Sequence, residues 1–410
     1  MLVTPTVPMK AAIVPEARDL RFDWITEHSQ FLALRDQWDR LGSTTIETVF
    51  LTHLWLSAWL TELAPHAELH VLTAWDGERL VAALPLFGDP GVSRGRRWMF
   101  MGSGTLTPNH LDIIAEPSVR EHALAEFATL LLAESARWDV LELNKLPADS
   151  ETVNGLESAF AQAGLATACA VSAICPCCDL PATHEEFLAA RKRRVRKKIR
   201  ATQRWLEEQP GIRVLATAET EADAVRAFEC LVQFHQARWK GKGYPGAFAD
   251  PHVVRFHEDV VRAACAAGFL RMYTLSEGDE IIAVSYNFRV GPVVDGYLSS
   301  FDERWDAASP GYLLRAHVFE QCIEEGASCY DFLEGTERYK AAWTTGERQN
   351  VRLLAFNRTL AGRASQVRNA ADGATVRLAR RWVPQEARER VIKVLARRES
   401  SHASTDDADS

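Results

Sequence analysis

The chain has 410 residues, of which 47% are hydrophobic and 25% are charged, and its formal net charge at pH 7 is −8. This length is sufficient for two domains, and the composition is that of a globular protein, which excludes global disorder. The negative net charge also excludes nucleic-acid binding through the charge of the whole chain, so any basic surface must be local.

The N-terminus and the cysteines indicate the cellular compartment. Residues 1–21 contain no continuous apolar segment and no early basic cluster, so we expect a flexible N-terminus rather than a signal peptide. No apolar run reaches the roughly 20 residues that cross a bilayer. The triplet Cys175, Cys177 and Cys178 has no second pair of ligands at zinc spacing, so we expect buried thiols and no metal. The sequence therefore predicts a cytoplasmic protein.

The first predicted lobe spans residues 22–174. Residues 69–87 form two β-rich runs on either side of Gly77, which is typical of a hairpin because glycine adopts the positive φ of a tight turn. Apolar residues then recur at helical spacing over 119–136, and the β-rich segment WDVLEL follows. The compact polar group of this lobe is Asn109, His110 and Asp112, which can line a cleft between lobes.

The second predicted lobe, residues 175–360, repeats this order. Residues 270–288 align with 69–87 without a gap and match at Leu69/Leu270, Thr73/Thr274, Gly77/Gly278, Ala82/Ala283 and Phe87/Phe288. A helix is predicted over 311–325, and the segment YDFLEG that follows it parallels WDVLEL. Because the order and spacing are kept twice, we interpret the chain as two tandem copies of one α/β unit.

A set of motifs resembles the FemAB/CelD-like branch of the GNAT (GCN5-related N-acetyltransferase) superfamily. In chain order they are FLTHLWLSAW (50–59), LVAALPLF (80–87), WDVLELNKLPADS (138–150), CDLPATHEEF (178–187), RKRRVRKKIRATQRWLE (191–207), FHQARW (234–239), SPGYLL (309–314) and DFLEGTERYKAAWTT (331–345). The resemblance implies an α/β fold with an α+β mixed sheet, in which two tandem GNAT-like lobes form a double acyl-CoA N-acyltransferase fold. It also implies acyl or aminoacyl transfer to an amine.

The donor site that the resemblance implies lies at the start of the helix near residue 311. Backbone N–H groups at a helix start bind phosphates, and acyl-CoA (acetyl-CoA) is the expected co-substrate. The candidate residues for this site are Ser309, Pro310, Gly311, Tyr312 and, on the strand 293–301, Ser300. Asp306 stands where GNAT proteins usually carry Arg or Gln, and its charge opposes a diphosphate.

The segment DFLEGTERYK carries the richest set of proton-transfer groups. We expect Asp331 or Glu337 to act as the base, Tyr339 as an acid, and Lys340 to bind an anionic part of a ligand, with Trp343 beside it. The alternative is a corner between a strand and a helix in which Lys340 and Glu337 form a structural ion pair.

A second candidate group closes a helix that is predicted from about residue 221. His235 is a candidate base, and Arg238 and Trp239 are candidate substrate-binding residues. The alternative is that His235 packs in the core while Arg238 stacks on Trp239.

The basic helix predicted over 188–207 carries nine Lys or Arg residues and no acid between 191 and 204. It can contact tRNA, a diphosphate, a lipid head group or another anionic surface, or it can be a solvated linker between the lobes. An Arg-rich helical extension is expected over 361–398 and a disordered tail over 399–410.

The leading functional hypothesis is an N-acyltransferase that moves an acyl group from acyl-CoA to an amine of a small molecule or amino sugar. The resemblance connects this activity with exopolysaccharide or cell-envelope synthesis. Two alternatives stay open: an aminoacyl-tRNA-dependent transferase of the FemAB type, and a non-catalytic accessory protein of polysaccharide synthesis.

Overall fold

The structure, a computed structural model, describes residues 19–382 except 90–94, 105, 217–218, 336 and 338, and gives the backbone alone for 373–382. The expected tail over 399–410, the end of the Arg-rich extension and most of the expected flexible N-terminus lie outside the described residues. Within residues 1–21, the first strand already begins at Arg21.

The N-terminal half alternates strands and helices. Its strands are β1 (Arg21–Ile25), β2 (Glu68–Leu69), β3 (Val71–Asp76), β4 (Arg79–Leu84), β5 (Leu86–Asp89), β6 (Arg97–Phe100), β7 (Ile114–Ala115), β8 (Val140–Pro147) and β9 (Ala166–Asp179). Its helices are α1 (His28–Ala33), α2 (Arg35–Thr45), α3 (His53–Glu62), α4 (Arg120–Ala133) and α5 (Glu151–Gln162).

The C-terminal half begins with two helices. Its helices are α6 (His184–Ala189), α7 (Arg193–Glu207), α8 (Glu221–Gly241), α9 (Pro251–Ala266), α10 (Pro310–Glu324) and α11 (Leu360–Trp382). Its strands are β10 (Ile212–Ala216), β11 (Leu270–Glu277), β12 (Glu280–Val290), β13 (Val293–Phe301), β14 (Cys329–Asp331) and β15 (Gly346–Phe356).

The predicted repeat is present in the structure. The two predicted hairpins are β3–β4 and β11–β12, and their turn glycines Gly77 and Gly278 have φ of 64° and 57°. A side chain would be strained at such a φ, which is why glycine occupies both turns. The helices predicted over 119–136 and 311–325 are α4 and α10, and the strand predicted over 293–301 is β13.

Within the described residues, one mixed sheet of eleven strands crosses both halves in the order β10-β11-β12-β13-β14-β9-β15-β8-β6-β5-β2. A second sheet has the order β1-β3-β4-β7. The C-terminal half packs α8 and α9 on one face of the large sheet and α10, with α7, on the other. The halves also meet through α3 and α9, where Trp55 contacts Phe256 with ring centroids 4.9 Å apart.

The two halves exchange their last strands. Strand β9 of the N-terminal half lies between β14 and β15, while β15 of the C-terminal half lies between β9 and β8. The expected boundary between residues 174 and 175 therefore falls inside β9, and each half is completed by a strand of the other. Strand β14 needs a hydrogen-bonding neighbour, and β9 provides it. The sequence does not predict this exchange, because the apolar periodicity of β9 does not specify which strand it joins.

The candidate site lies where β13 and β14 separate, and the gap between these strands is called the cleft below. These parallel strands pair from Val293–Cys329 to Asp295–Asp331, after which β13 continues to Phe301 while β14 ends. In the same region β13 shifts its register against β12, because Phe288 pairs with Asp295 and Tyr286 with Leu298. Two carboxylates, Asp295 and Asp331, thus mark the point at which the strands separate.

None of the helices within the described part of the chain combines the length and the apolar character that crossing a membrane requires.

Candidate active site

A histidine of the N-terminal half meets a buried aspartate of the C-terminal half at the point where β13 and β14 separate. His110 Nε2 lies 3.1 Å from Oδ2 of Asp331, whose side chain is fully buried. The other carboxylate oxygen, Oδ1, accepts a hydrogen bond from the backbone N–H of Leu333 at 2.7 Å. Because an ionised carboxylate accepts hydrogen bonds only, it selects the tautomer of His110 that is protonated on Nε2. The Nδ1 atom of His110 is then the proton acceptor.

Backbone strain is concentrated around this pair. The non-glycine residues with positive φ in the described part of the chain are His110, Lys145, Leu333 and Ser309, with φ from 53° to 67°. Three of them, His110, Lys145 and Leu333, adjoin the cleft. The carbonyl of Lys145 accepts a hydrogen bond from the N–H of Leu111 at 2.9 Å, and its Nζ lies 2.5 Å from Glu334 Oε2. Such conformations cost on the order of 1–3 kcal/mol each and occur preferentially at functional sites.

A buried polar network supports the histidine. Asn109 Oδ1 accepts hydrogen bonds from Cys175 Sγ at 3.3 Å and from Asn350 Nδ2 at 3.1 Å. The Oδ1 atom of Asn350 is buried and has no hydrogen-bond partner in the described structure. The neighbouring acid Asp112 instead binds Arg120 at 2.7 Å, beside the start of α5. Of the polar group noted in the sequence, Asn109 and His110 thus line the cleft while Asp112 has a structural role.

Asp295 is a second titratable group at the separation point. Burial, reinforced by the charge of Asp331, raises the pKa of Asp295 from 3.8 to about 6. His110 and the hydrogen bonds from Thr48 and the N–H of Val49, at 2.9 and 3.2 Å, act in the opposite direction. Two neighbouring carboxylates with different environments are the arrangement that supports acid–base chemistry near neutral pH.

The cleft contains side-chain types that bind metals in other proteins. Ligand atoms of His110, Cys175 and Asp331 lie within 4.8 Å of one another. Burial, with the charge of Asp331 as the second cause, raises the pKa of the Cys175 thiol far above its ordinary value and so disfavours the thiolate that a metal binds. Arg348 adds a positive charge 3.8 Å from Asp331. The hydrogen bonds of His110 and Cys175 and the ion pair of Arg348 with Asp331 account for the close approach of these side chains. The second such group is Cys177, Asp179 and Cys329.

The residues predicted from DFLEGTERYK have different surroundings. Asp331 is at the centre of the cleft, whereas Glu337 is exposed and pairs with Lys340 at 2.9 Å. The buried Lys340 Nζ also lies 3.1 Å from the carbonyl oxygen of Glu334 and 3.4 Å from that of Gly335. The structural ion pair considered in the sequence is therefore present, and Lys340 also holds the segment after β14.

The group on α8 is a packing site in part. Burial lowers the pKa of His235, whose ring contacts those of Phe248 and Trp239 at centroid distances of 5.1 and 5.9 Å. Arg238 and Trp239 are exposed on the last turn of α8. The alternative in which His235 packs in the core describes its contacts, and none of these neighbours belongs to the cleft at Asp331.

The start of α10 is formed by the predicted donor-site residues. Ser309 caps it with φ of 53°, Pro310 is its first residue, and a Cβ on Gly311 would lie 3.6 Å from the ring of Phe301. Tyr312 packs on Trp343 with ring centroids 4.9 Å apart. Two predicted residues face away from solvent, because Trp343 is buried in the core under α10 and Ser300 is buried on β13 opposite Val284 of β12.

The basic helix α7 lies against this end of α10. Lys198 Nζ stands 4.1 Å from the centre of the Tyr312 ring, and the Tyr312 hydroxyl donates to the carbonyl of Val195 at 3.4 Å. Ile199 anchors the apolar face of α7 in the core. The exposed cations of the helix and its flank are Lys192, Arg193, Arg194, Lys197, Lys198, Arg200 and Arg204. No described carboxylate pairs with any of these seven, so their charge is available to an anionic partner.

Sequence reasoning named His110 only as part of a compact polar group and did not pair it with Asp331, and it considered Cys175 only as part of a cysteine triplet. It did not single out Asp295, Asn350 or Arg315, the buried arginine of α10. The available signal was a charged or polar residue inside an otherwise apolar segment, such as the acid in VVDGYL or the arginine in GYLLRAHVF. Such a residue is expensive to bury, and this cost makes it a candidate for function.

Comparisons with known proteins agree with this architecture. Residues 193–341 match the family model described as an acetyltransferase (GNAT) domain. The alignment with the structure of FemX covers 81% of this chain and 96% of the FemX chain, with a TM-score of 0.58 and 10% identity. The C-terminal domain of a putative lysylphosphatidylglycerol synthetase from Agrobacterium fabrum covers 82% and 95%, with a TM-score of 0.52 and 11% identity. A comparison with curated proteins found no significant match.

The fold and the family model thus define an acyltransferase of mixed α/β architecture. Residues 193–341 are thus similar to a GNAT acetyltransferase domain, and the fold of the chain is similar to that of FemX, as the FemAB-like resemblance predicts.

Proposed function

We propose that this protein transfers an acyl group from a phosphate-bearing carrier to the amine of a small acceptor, such as an amino sugar or another cell-envelope or exopolysaccharide precursor, in the cytoplasm. The observation that carries the proposal is the His110–Asp331 pair at the point where β13 and β14 separate. A base oriented by a buried carboxylate is what deprotonation of an ammonium group requires.

The reaction has a place for each proton. His110 Nδ1 takes the proton of the attacking ammonium while Asp331 holds the Nε2–H, so the amine lone pair can attack the acyl carbon. The register shift of β13 leaves Gly296 and Tyr297 outside the ladder with β12, where backbone N–H groups can polarise the carbonyl oxygen. His110 passes this first proton to solvent. As the bond from the acyl carbon to the leaving sulfur or oxygen breaks, His110 takes the second proton from the nitrogen and gives it to the leaving atom, so the products are the neutral amide, the protonated leaving group and one released proton.

Acyl-CoA is the carrier that we test first. The start of α10 offers backbone N–H groups to a diphosphate, and the cations of α7 stand beside it, with Lys198 on Tyr312. These cations offset the unfavourable charge of Asp306 in the preceding turn.

An aminoacyl-tRNA is a second candidate carrier, and one specific observation favours it. The seven exposed cations around α7 have no carboxylate partner among the described residues, which is more positive charge than one diphosphate needs. The resemblance to FemAB-type transferases implies the same carrier.

Thermal unfolding with acetyl-CoA, longer acyl-CoAs and tRNA tests the proposal. A ligand at 100 times its Kd stabilises the folded protein by about 2.7 kcal/mol. We expect one carrier class to raise the Tm, and Gly311→Glu to abolish this protection by placing a negative charge at the start of α10. Gly211→Glu is the matched control, because Gly211 faces open space.

The catalytic step is tested by His110→Asn, since asparagine tolerates the positive φ of this position. The variant should keep carrier protection but lose about 10²- to 10⁴-fold in turnover with an accepted amine. A variant with normal turnover would remove His110 from the mechanism. If no carrier class shifts the Tm of the wild-type protein, the accessory-protein alternative replaces the enzymatic one.

A further inference from the structure

Arg315, in the second turn of α10, is a buried cation without a carboxylate partner in the described structure. The residue is only 7% exposed. Its guanidinium donates to Tyr330 Oη at 3.0 Å and to Ser299 Oγ at 3.1 Å. Its charged carbon stands 5.9 Å from the ring centre of Tyr330, 5.6 Å from that of Phe332 and 5.1 Å from that of Tyr339.

These neighbours leave the positive charge uncompensated. Both hydrogen-bond acceptors are neutral hydroxyls, and an arginine carries five N–H donors in a planar fork. Buried arginines are normally paired with an anion because the loss of hydration costs several kcal/mol. The aromatic rings repay part of this cost through cation–π attraction. An anion at this position would offset the remaining cost.

The position of Arg315 relates it to the proposed donor. Ser299 lies on β13 and Tyr330 on β14, so the guanidinium spans the gap where these two strands separate. Arg315 follows Pro310 by five residues, which is about 7.5 Å along the helix axis. A donor whose phosphates bind at the start of α10 therefore lies within about two helical turns of this guanidinium.

Gly296 on β13 makes room for the tyrosine that orients Arg315. A Cβ on Gly296 would lie 2.3 Å from Tyr330 Oη, so only glycine lets the tyrosine cross β13 and reach Asn287 on β12 at 2.8 Å. The tyrosine hydroxyl, fixed in this way, accepts from Arg315 and orients its fork. Tyr339 covers the other side, and it is 51% exposed while Tyr330 and Phe332 are buried.

We propose that Arg315 is the receptor for an oxyanion of the donor, a carboxylate on its acyl group or a phosphate of its carrier, which binds between β13 and β14 beneath Tyr339. This inference rests on the proposed function. The planar fork matches both groups in bidentate geometry, and the surrounding rings exclude water and strengthen the pair. A donor that is neutral at this depth leaves the cation unpaired, so Arg315 selects donors with an acidic group there.

The test uses small anions with the full-length protein. Thermal unfolding and isothermal titration are carried out with inorganic phosphate and with succinate, against potassium chloride at equal ionic strength. The variants are Arg315→Met, which removes the charge, and Arg315→Lys, which keeps it without the fork. Arg213→Met is the matched control, because Arg213 is an exposed arginine on β10 without a carboxylate partner among the described residues.

We expect Arg315→Met to weaken binding of one anion at least 10-fold, Arg315→Lys to weaken it less, and Arg213→Met to leave it unchanged. A response to phosphate assigns the site to the carrier, and a response to succinate assigns it to a carboxylate on the acyl group. Equal anion binding by the wild type and Arg315→Met would overturn the proposal. If neither Arg315 variant folds, the arginine is a structural bracket across the gap and the proposal is equally wrong.

These results are separable from those of the proposed function. Anion binding that depends on Arg315, together with no response to acyl-CoA or tRNA, would refute the proposed carriers and still support the anion site at Arg315. If the carrier still raises the Tm of Arg315→Met, the proposed carrier is supported and the role of Arg315 is refuted.

Discussion

Replacing Asp295 with asparagine removes a buried charge from the cleft and keeps the shape of the side chain. The asparagine oxygen can still accept from Thr48 and from the N–H of Val49, which bind Oδ2 of the native residue. Oδ1 of Asp295 is buried without a hydrogen-bond partner in the described structure, and the amide nitrogen takes its place. The main change is therefore the loss of the ionisable group.

The expected magnitude follows from the pKa. Asp295 titrates at 3.8 without its environment and at about 6 in the folded protein, a difference of about 2 units and thus about 3 kcal/mol. Because the folded-state pKa is the higher one, the folded state binds the proton more tightly. This contribution stabilises the protein below pH 4 and is lost as the pH rises through 6. At neutral pH the wild type therefore retains an ionised carboxylate that is costly to bury.

We expect Asp295→Asn to gain about 2 kcal/mol of stability relative to the wild type between pH 4 and pH 7.5. The assay is urea unfolding of both proteins at the two pH values, with the free energies extrapolated to water. Asp302→Asn is the control, since a hydrogen bond from Arg304 lowers the pKa of Asp302 below 3.8. Its charge therefore stabilises the folded protein at both pH values, and the variant should lose nearly the same stability at each. A constant difference between wild type and Asp295→Asn across this range would refute the reasoning.

Three further predictions concern the neighbouring contacts. Gly296→Ala should destabilise the fold by about 1–3 kcal/mol in thermal unfolding, because its Cβ would lie 2.3 Å from Tyr330 Oη. An unchanged Tm would show that Tyr330 can move away from β13 without cost. Lys340→Met should cost about 1–3 kcal/mol in denaturant unfolding, since it leaves the partly buried carbonyls after β14 without their donor. A loss below about 0.5 kcal/mol, the usual effect of an exposed substitution, would contradict that role. Lys197→Glu on α7 should weaken carrier binding several-fold at low salt and much less at high salt, as titrations at two ionic strengths can measure; a salt-independent effect would point to a change in folding.

Features that depend on a few neighbouring residues were predictable from the sequence. The hairpin turns at Gly77 and Gly278, the helices α4 and α10 and the strand β13 all follow from local signals, either a turn glycine or the spacing of apolar side chains. Asp331 was correctly placed at the end of a strand by the same kind of argument, and the repeat predicted two related lobes.

The pairing across the lobes was decided by the tertiary structure alone. His110 and Asp331 are 221 residues apart in sequence, and they meet only because β9 and β15 exchange places between the halves. The apolar periodicity of a strand determines which face is buried, but any strand with free N–H and C=O groups satisfies its neighbour equally well. Which strands join, and hence which side chains face each other across the cleft, depends on the packing of the whole sheet.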